Sequence, residues 1–140
     1  MPTLSLKITP LQNPERYAAL GAALTRITAD VLHKKPEATV VMIDDMPAAR
    51  FMVGGQAGGC AAACLEINIT AGTNTADEKA QFIATAYAEL ERQLGPLHAA
   101  SYVIVRELPA GDWGYAGMTQ AQRRLKQSSL VEVMGANAAK

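Results

Sequence analysis

Cysteine and histidine are scarce in this chain of 140 residues, which contains two of each. Three residues separate Cys60 from Cys64, and no second pair is present to complete a zinc site. His33 and His98 each lie at the end of a predicted helix, where interaction with the helix carbonyls is the expected role. We therefore expect idle thiols and no bound metal.

Net charge and long apolar runs are also missing. The 13 basic and 13 acidic side chains cancel, which argues against nucleic acid or an anionic membrane as the main partner. No segment reaches the roughly 18 apolar residues that a membrane-spanning helix needs, and the N-terminus lacks the regions of a signal peptide. Because 49% of the residues are apolar and 19% are charged, we expect a globular, cytoplasmic protein.

The first nine residues are the most informative stretch. Leu4, Leu6 and Ile8 alternate with polar residues, which is the period of a strand with one apolar face. If Met1 is removed, Pro2 becomes the terminal residue and carries a free secondary amine. That amine would be the only backbone nitrogen of the chain able to act as a base or nucleophile. Pro2 is therefore the candidate catalytic residue.

The sequence also contains an internal repeat with an offset of 61 or 62 residues. The matching pairs are Ile8-Thr9 with Ile69-Thr70, Pro47-Ala48 with Pro109-Ala110, and Gly55 with Gly117. Between these markers both halves have the same order of predicted elements. We therefore expect residues 1–57 and 60–118 to be two copies of one unit.

Apolar periodicity and helix start and stop signals predict a strand, a helix and a strand in each unit. The six elements are a strand within 1–9, a helix at 13–35, a strand at 40–43, a strand at 65–70, a helix at 75–95 and a strand at 102–105. The two strands of such a unit lie parallel, joined by a right-handed crossover. The predicted fold is α/β (α+β): a tandem β-α-β repeat with a four-stranded mixed sheet and both helices on one face.

The other face of this sheet is predicted to be partly polar, since it would carry Ser5, Lys7, Thr9, Glu66 and Asn68. Sheets built from parallel pairs usually need cover on both faces, and two helices cover only one. We therefore expect other subunits to bury the second face.

Two segments that follow the second strand of each unit combine aromatic residues with glycines, at 50–55 and 112–117. They are expected to form loops or short hairpins. Either Phe51 and Trp113 form the apolar wall of a site, or the segments contact a neighbouring subunit. Residues 56–59 resemble a flexible linker. The domain is predicted to end at residue 125, and residues 126–140 to form a tail without a regular pattern.

Together, the initial Met-Pro, the duplicated unit and the paired glycine-aromatic segments resemble the tautomerase superfamily. The chain is similar to its tandem, fused 4-oxalocrotonate tautomerase-like form, and to macrophage migration inhibitory factor and malonate semialdehyde decarboxylase. The resemblance covers about residues 2–118. It implies a homotrimer with the terminal proline at the floor of a pocket between subunits. It also implies cofactor-free chemistry on small keto acids, enols or unsaturated carboxylates. The second unit has internal Ala63 in place of Pro2, so one active centre per chain is expected.

The resemblance assigns further site residues. Lys35, before Pro36, would bind a carboxylate or enolate oxygen, Tyr102 would donate a hydrogen bond from an adjacent subunit, and Ile69 would contribute backbone. Phe51 and Trp113 would form the apolar wall. The alternative is a purely structural role, in which Lys35 is a charge at the end of a helix and Tyr102 is an aromatic residue of the core.

The chain departs from the family pattern at the substrate-binding arginines. The matching positions are Gln12 or Thr73, and Val40 or Tyr102, so an arginine would have to come from elsewhere in the sequence. The candidates are Arg16, Arg50, Arg106 and Arg123.

Three functions are compatible with these residues. The first is a tautomerase or isomerase in which neutral Pro2 is a general base for keto-enol proton transfer. The second is a decarboxylase, hydratase or dehalogenase that uses cationic Pro2. The third is a non-enzymatic oligomeric binding protein on the same scaffold.

Overall fold

The computed structural model describes residues 1–138 and contains one four-stranded sheet with the strand order β2-β1-β5-β6. These strands are β1 (Thr3–Thr9), β2 (Val40–Asp45), β5 (Ala62–Thr70) and β6 (Tyr102–Leu108), and two short hairpins are formed by β3 (Met52–Val53) with β4 (Gln56–Ala57) and by β7 (Gly114–Tyr115) with β8 (Met118–Thr119). The helices are α1 (Pro14–Leu32), α2 (Ala76–Leu94) and α3 (Gln120–Ala138). The predicted four-stranded mixed sheet is confirmed.

The strand register has the same offsets as the internal repeat of the sequence. Strand β1 is parallel to β2 and antiparallel to β5, which in turn is parallel to β6. The first pair of the first unit joins Thr3 to Val40, and the first pair of the second unit joins Cys64 to Tyr102. The sheet is therefore two parallel pairs, joined along their central strands and related by the offsets seen in the sequence.

Helices α1 and α2 begin where their capping signals predict. Asn13 accepts a hydrogen bond from the backbone nitrogen of Arg16 at 2.8 Å, and Pro14 takes the first helical position, where a missing N–H costs nothing. At its other end α1 stops at His33, which adopts a left-handed conformation with φ 59°. Both helices pack on one face of the sheet, against the side chains of alternate residues in β1 and β5, namely Leu4, Leu6, Ile8, Leu65, Ile67 and Ile69.

The N-terminus of α2 is held by a reciprocal pair of hydrogen bonds. The Thr75 hydroxyl accepts from the backbone nitrogen of Glu78 at 3.1 Å, and the Glu78 carboxylate accepts from the backbone nitrogen of Thr75 at 2.8 Å. We expect Thr75→Ala to lower the free energy of unfolding by about 1 kcal/mol, because a helix donor loses its partner. Denaturant titration measures this, with Thr25→Ala inside α1 as the matched control. An equal effect in the two variants would contradict the capping role.

The face of the sheet opposite α1 and α2 is uncovered in the single chain. We call it the open face, and its alternate residues on the four strands are Val40, Met42, Asp44, Thr3, Ser5, Lys7, Cys64, Glu66, Asn68, Tyr102, Ile104 and Arg106. Its edge strands expose apolar side chains: Val40 is 41% exposed, Met42 51% and Tyr102 63%. Thr9, which was predicted on this face, follows the same alternation along β1 but is buried at the end of the strand.

The glycine-aromatic segments form the short hairpins that the sequence allowed. Gly54 and Gly55 both have positive φ in the β3–β4 turn, a conformation that disfavours side chains. The linker prediction for residues 56–59 was wrong at its start, since Gln56 and Ala57 pair with Val53 and Met52. In the second hairpin, a Cβ atom at Gly114 would lie 2.1 Å from the Met118 carbonyl oxygen, so this position requires glycine.

The prediction of an irregular tail was wrong, because helix α3 forms there. It begins at Gln120 and passes through residue 126, where the sequence analysis placed a domain boundary. Its N-terminus has a capping box, in which the backbone nitrogen of Gln122 donates to the Thr119 hydroxyl at 3.0 Å and Gln122 in turn accepts from the Thr119 nitrogen at 2.9 Å. No helix within residues 1–138 is long and apolar enough to cross a membrane.

Candidate active site

A pocket of about 260 Å³ lies at the edge of the sheet where β1 begins. Because β5 is antiparallel to β1, the end of β5 and the segment after β6 reach the same edge, as does the end of α1. We call this the N-terminal pocket. Its lining includes Met1, Lys34, Lys35, Tyr115, Arg123 and Arg124.

Pro2 is buried next to this pocket. Its carbonyl oxygen accepts a hydrogen bond from the backbone nitrogen of Val40 at 3.1 Å, which anchors the start of β1 to β2. Thr3 pairs with Asn68 on β5, so Pro2 lies one position further along, beside Ile69. Met1 lines the pocket itself. The nitrogen of Pro2 is bonded to the carbonyl carbon of Met1, and removal of Met1 would leave that nitrogen at the pocket wall.

The pocket disfavours a protonated amine. Burial, followed by the positive charges of Lys34 and Lys35, lowers the pKa of the Met1 amine below its ordinary value. The pKa of Lys34 is itself lowered, first by burial and then by Arg124, with Glu78 opposing both. An amine in this position is therefore more readily neutral near pH 7 than an exposed terminus.

Lys34 is held in place by the loop between β5 and α2. Its ammonium donates to the hydroxyl of Thr73 at 2.9 Å, and that hydroxyl donates to the carbonyl oxygen of Thr70 at 2.6 Å. The neighbouring His33 lies 2.9 Å from a carboxylate oxygen of Glu78, the residue that caps α2. These contacts join the end of α1 to the start of α2 and fix the wall of the pocket opposite α3.

The first turn of α3 supplies the other wall. The guanidinium of Arg123 donates to the carbonyl oxygen of Tyr115 at 2.8 Å and lies 3.7 Å from the centre of the Tyr115 ring. A cation over an aromatic face at this distance is an attractive arrangement. Arg124 follows directly on the helix and also lines the pocket. The β7–β8 hairpin therefore positions the start of α3 over the N-terminus of the chain.

The predicted site residues fall into two groups within one chain. Lys35 lines the N-terminal pocket, Ile69 lies beside Pro2, and Trp113 lies in the loop before Tyr115, where it lines an adjacent groove. Phe51 and Tyr102 lie at the opposite end of the sheet, after β2 ends and where β6 begins.

Sequence reasoning missed Lys34, Tyr115 and Arg124 as pocket residues. Of the four arginines considered as anion ligands, Arg123 is the one that reaches the pocket. The signal that could have found them is the Thr119–Gln122 capping box, which predicts a helix start directly after the second glycine-aromatic segment.

Comparison with known proteins finds a matching family model and solved structures with a similar fold. Residues 2–59 match the family model for the tautomerase enzymes, which spans the first repeat. The fold of a fused 4-OT protein matches 86% of this chain, with a TM-score of 0.77. The first unit therefore matches the tautomerase family, and the chain shares the fold of the fused 4-OT proteins.

Three solved structures give the extent of the similarity. A fused 4-OT called R7, an asymmetric trimer, is 25% identical over 89% of this chain and 98% of its own, with a TM-score of 0.78. Pt0534, solved after inactivation by 2-oxo-3-pentynoate, is 15% identical over 85% and 96%, with a TM-score of 0.77. A macrophage migration inhibitory factor-like protein from Entamoeba histolytica is 15% identical over 84% and 97%, with a TM-score of 0.71. The comparison with curated proteins gives no match.

The two units of this chain are not chemically equivalent. Ala63 is the counterpart of Pro2, and its backbone nitrogen is an internal amide that donates to the Ser101 hydroxyl at 3.1 Å. An amide nitrogen has no basicity near neutral pH. Only the first unit therefore has a proline that could become a terminal amine.

Proposed function

We propose that this chain is a cofactor-free tautomerase that moves a proton between carbon and oxygen of a small keto acid or its enol, with Pro2 as the general base. The observation that supports this most strongly is the surroundings of the Met1 amine, one residue before Pro2, where burial and the charges of Lys34 and Lys35 lower the pKa of that amine. A base must be neutral to accept a proton, and catalysis at neutral pH favours a base whose pKa lies near 7.

The residues of the pocket suit each part of this reaction. The neutral nitrogen of Pro2 takes a proton from one position of the substrate and returns it at another. Negative charge develops on the substrate oxygen during the transfer, and the ammonium of Lys35 stabilises it. Trp113 contributes the apolar surface next to the pocket. No metal or redox step is needed, because the electrons stay within the conjugated system of the substrate.

We further propose a homotrimer in which a neighbouring chain completes the site. Phe51 and Tyr102 lie at the far end of the sheet from Pro2 in their own chain, so only another subunit could bring them to this pocket. The open face, with its exposed apolar edges, is the surface that such an assembly would bury. The trimeric state of the fused 4-OT relative supports this arrangement.

The pH dependence of activity tests the base. With phenylenolpyruvate as substrate, kcat/KM should rise with pH as the Pro2 amine loses its proton. The midpoint should lie below the value of about 8 that is ordinary for a terminal amine. Lys34→Gln removes a positive charge that disfavours the ammonium, so its midpoint should move to higher pH. His33→Gln, the control for a second titrating group in the pocket, should leave the midpoint in place.

A profile that falls with rising pH would contradict the general base. It would support the cationic Pro2 of a decarboxylase, hydratase or dehalogenase instead, although the surrounding cations oppose that protonation state. Absence of ketonisation at every pH, in protein whose terminal proline is confirmed by intact mass, would favour a non-enzymatic binding protein.

A further inference from the structure

We propose that α3 supplies Arg124 as a specificity-determining residue of the N-terminal pocket, where its guanidinium and the ammonium of Lys34 bind the carboxylate of an anionic substrate. This inference rests on the proposed function, since it takes the pocket at Pro2 to be the active site. Arg124 does not lie at either of the positions where the family pattern has a substrate-binding arginine. It comes from a helix outside the segment, residues 2–59, that the family model matches.

The two arginines at the start of α3 have different surroundings. The guanidinium of Arg123 is occupied by Tyr115, through a hydrogen bond to its carbonyl oxygen and stacking over its ring. Arg124 makes no hydrogen bond or ion pair with the side chains of the described residues, and it lines the pocket. Arg123 is thus a positioning residue that ties α3 to the β7–β8 hairpin. Arg124 is an exposed residue of the pocket lining, so its guanidinium is available to a ligand.

The charge of the pocket is uncompensated. Its lining contains the cations Lys34, Lys35, Arg123 and Arg124, and among the described residues no carboxylate lines it. Glu78 is near, but its carboxylate is engaged by His33 and by the cap of α2. Several cations that are brought together in a partly buried site repel one another, and a bound anion relieves that repulsion.

The size of the pocket limits the anion. At about 260 Å³ in the single chain it is slightly smaller than the range of about 300–1,000 Å³ for small-molecule sites. A planar carboxylate fits the donors of a guanidinium, whereas an ammonium acts as a point charge. Arg124 paired with Lys34 therefore favours a short carboxylic acid over a neutral carbonyl compound of the same shape.

The test measures binding separately from turnover. Pyruvate and its uncharged analogue pyruvamide are titrated by calorimetry into Pro2→Ala protein, in which the prolyl nitrogen is replaced by the primary amine of alanine and the pocket is kept. We expect pyruvate to bind and pyruvamide to bind at least tenfold more weakly. Adding Arg124→Gln should weaken pyruvate binding about tenfold and leave pyruvamide unchanged. Lys126→Gln, which removes one positive charge from the same helix outside the pocket, is the matched control and should have no effect.

Steady-state kinetics of variants that retain Pro2 give a second, independent measurement. Arg124→Gln should raise KM for phenylenolpyruvate about tenfold with a smaller change in kcat, and Arg124→Lys should recover part of the loss. Equal pyruvate affinity in Arg124→Gln and Lys126→Gln, or equal binding of pyruvate and pyruvamide, would overturn the inference. Neither outcome depends on whether Pro2 is the base, so a failure here is distinct from a failure of the proposed function.

Discussion

Pro2→Ala is expected to lower kcat/KM for ketonisation of phenylenolpyruvate by about a hundredfold or more, while the fold is retained. General acid–base groups contribute about 10²–10⁴-fold to catalysis. The proline ring fixes the nitrogen at the start of β1, whereas the primary amine of a terminal alanine rotates freely and is better hydrated. Steady-state kinetics measure the loss, and circular dichroism checks that the sheet and helices remain.

The result is interpretable only if the terminus is known. Intact mass must show that Met1 is absent in both proteins, because a retained Met1 makes the Pro2 nitrogen an amide. A variant with leucine inserted between Met1 and Pro2 retains the methionine and should be at least as inactive as Pro2→Ala. Activity equal to that of the unmodified chain in either variant would remove Pro2 from the mechanism.

Covalent labelling identifies the reactive nitrogen directly. The Pt0534 protein is inactivated by 2-oxo-3-pentynoate, an alkynyl ketone to which an amine adds across the triple bond. In this chain we expect the same reagent to add its whole mass to the peptide that begins at Pro2. A label found on Lys34 or Lys35 instead would mean that a lysine is the nucleophile of the pocket.

The fold was predictable because its signals are local and repeated. Asn13-Pro14 and the Thr75–Glu78 capping box set the starts of α1 and α2, and the alternation of Leu4, Leu6 and Ile8 set the buried face of β1. Periodicity could not predict that Thr9 is buried. The strand ends there, and Thr9 is buried although alternation would expose it.

The site was only partly predictable, because its parts meet through tertiary structure. Pro2 and Lys35 were predicted from their positions in the first unit, which the tautomerase family model matches. Arg124 was missed because α3 was taken as an irregular tail. A helix with scattered apolar residues has a weak periodic signal, and its capping box at Thr119 was the stronger clue. Phe51 and Tyr102 lie far from Pro2 within one chain, and whether a neighbouring subunit brings them together is not described by local sequence signals.

Met42→Glu on the open face is expected to dissociate the trimer. Met42 lies on the edge strand β2 and is 51% exposed in the single chain, so a carboxylate there is tolerated by the isolated subunit. In the assembly the same carboxylate would be buried among apolar groups, at an effective penalty of several kcal/mol. Light scattering should therefore show a mass near three times 14.8 kDa for the unmodified chain and near 14.8 kDa for the variant.

Ile83→Glu is the matched control, because Ile83 is a 39% exposed apolar residue on α2, on the helix side of the sheet. It should remain a trimer with full activity. The Met42→Glu monomer should keep its circular dichroism spectrum and lose ketonisation, since Pro2 and Lys35 stay in place but Phe51 and Tyr102 of the neighbour are gone. A monomer that retains activity would show that one chain holds the complete site. A variant that remains trimeric would show that the open face is not the surface through which the subunits associate.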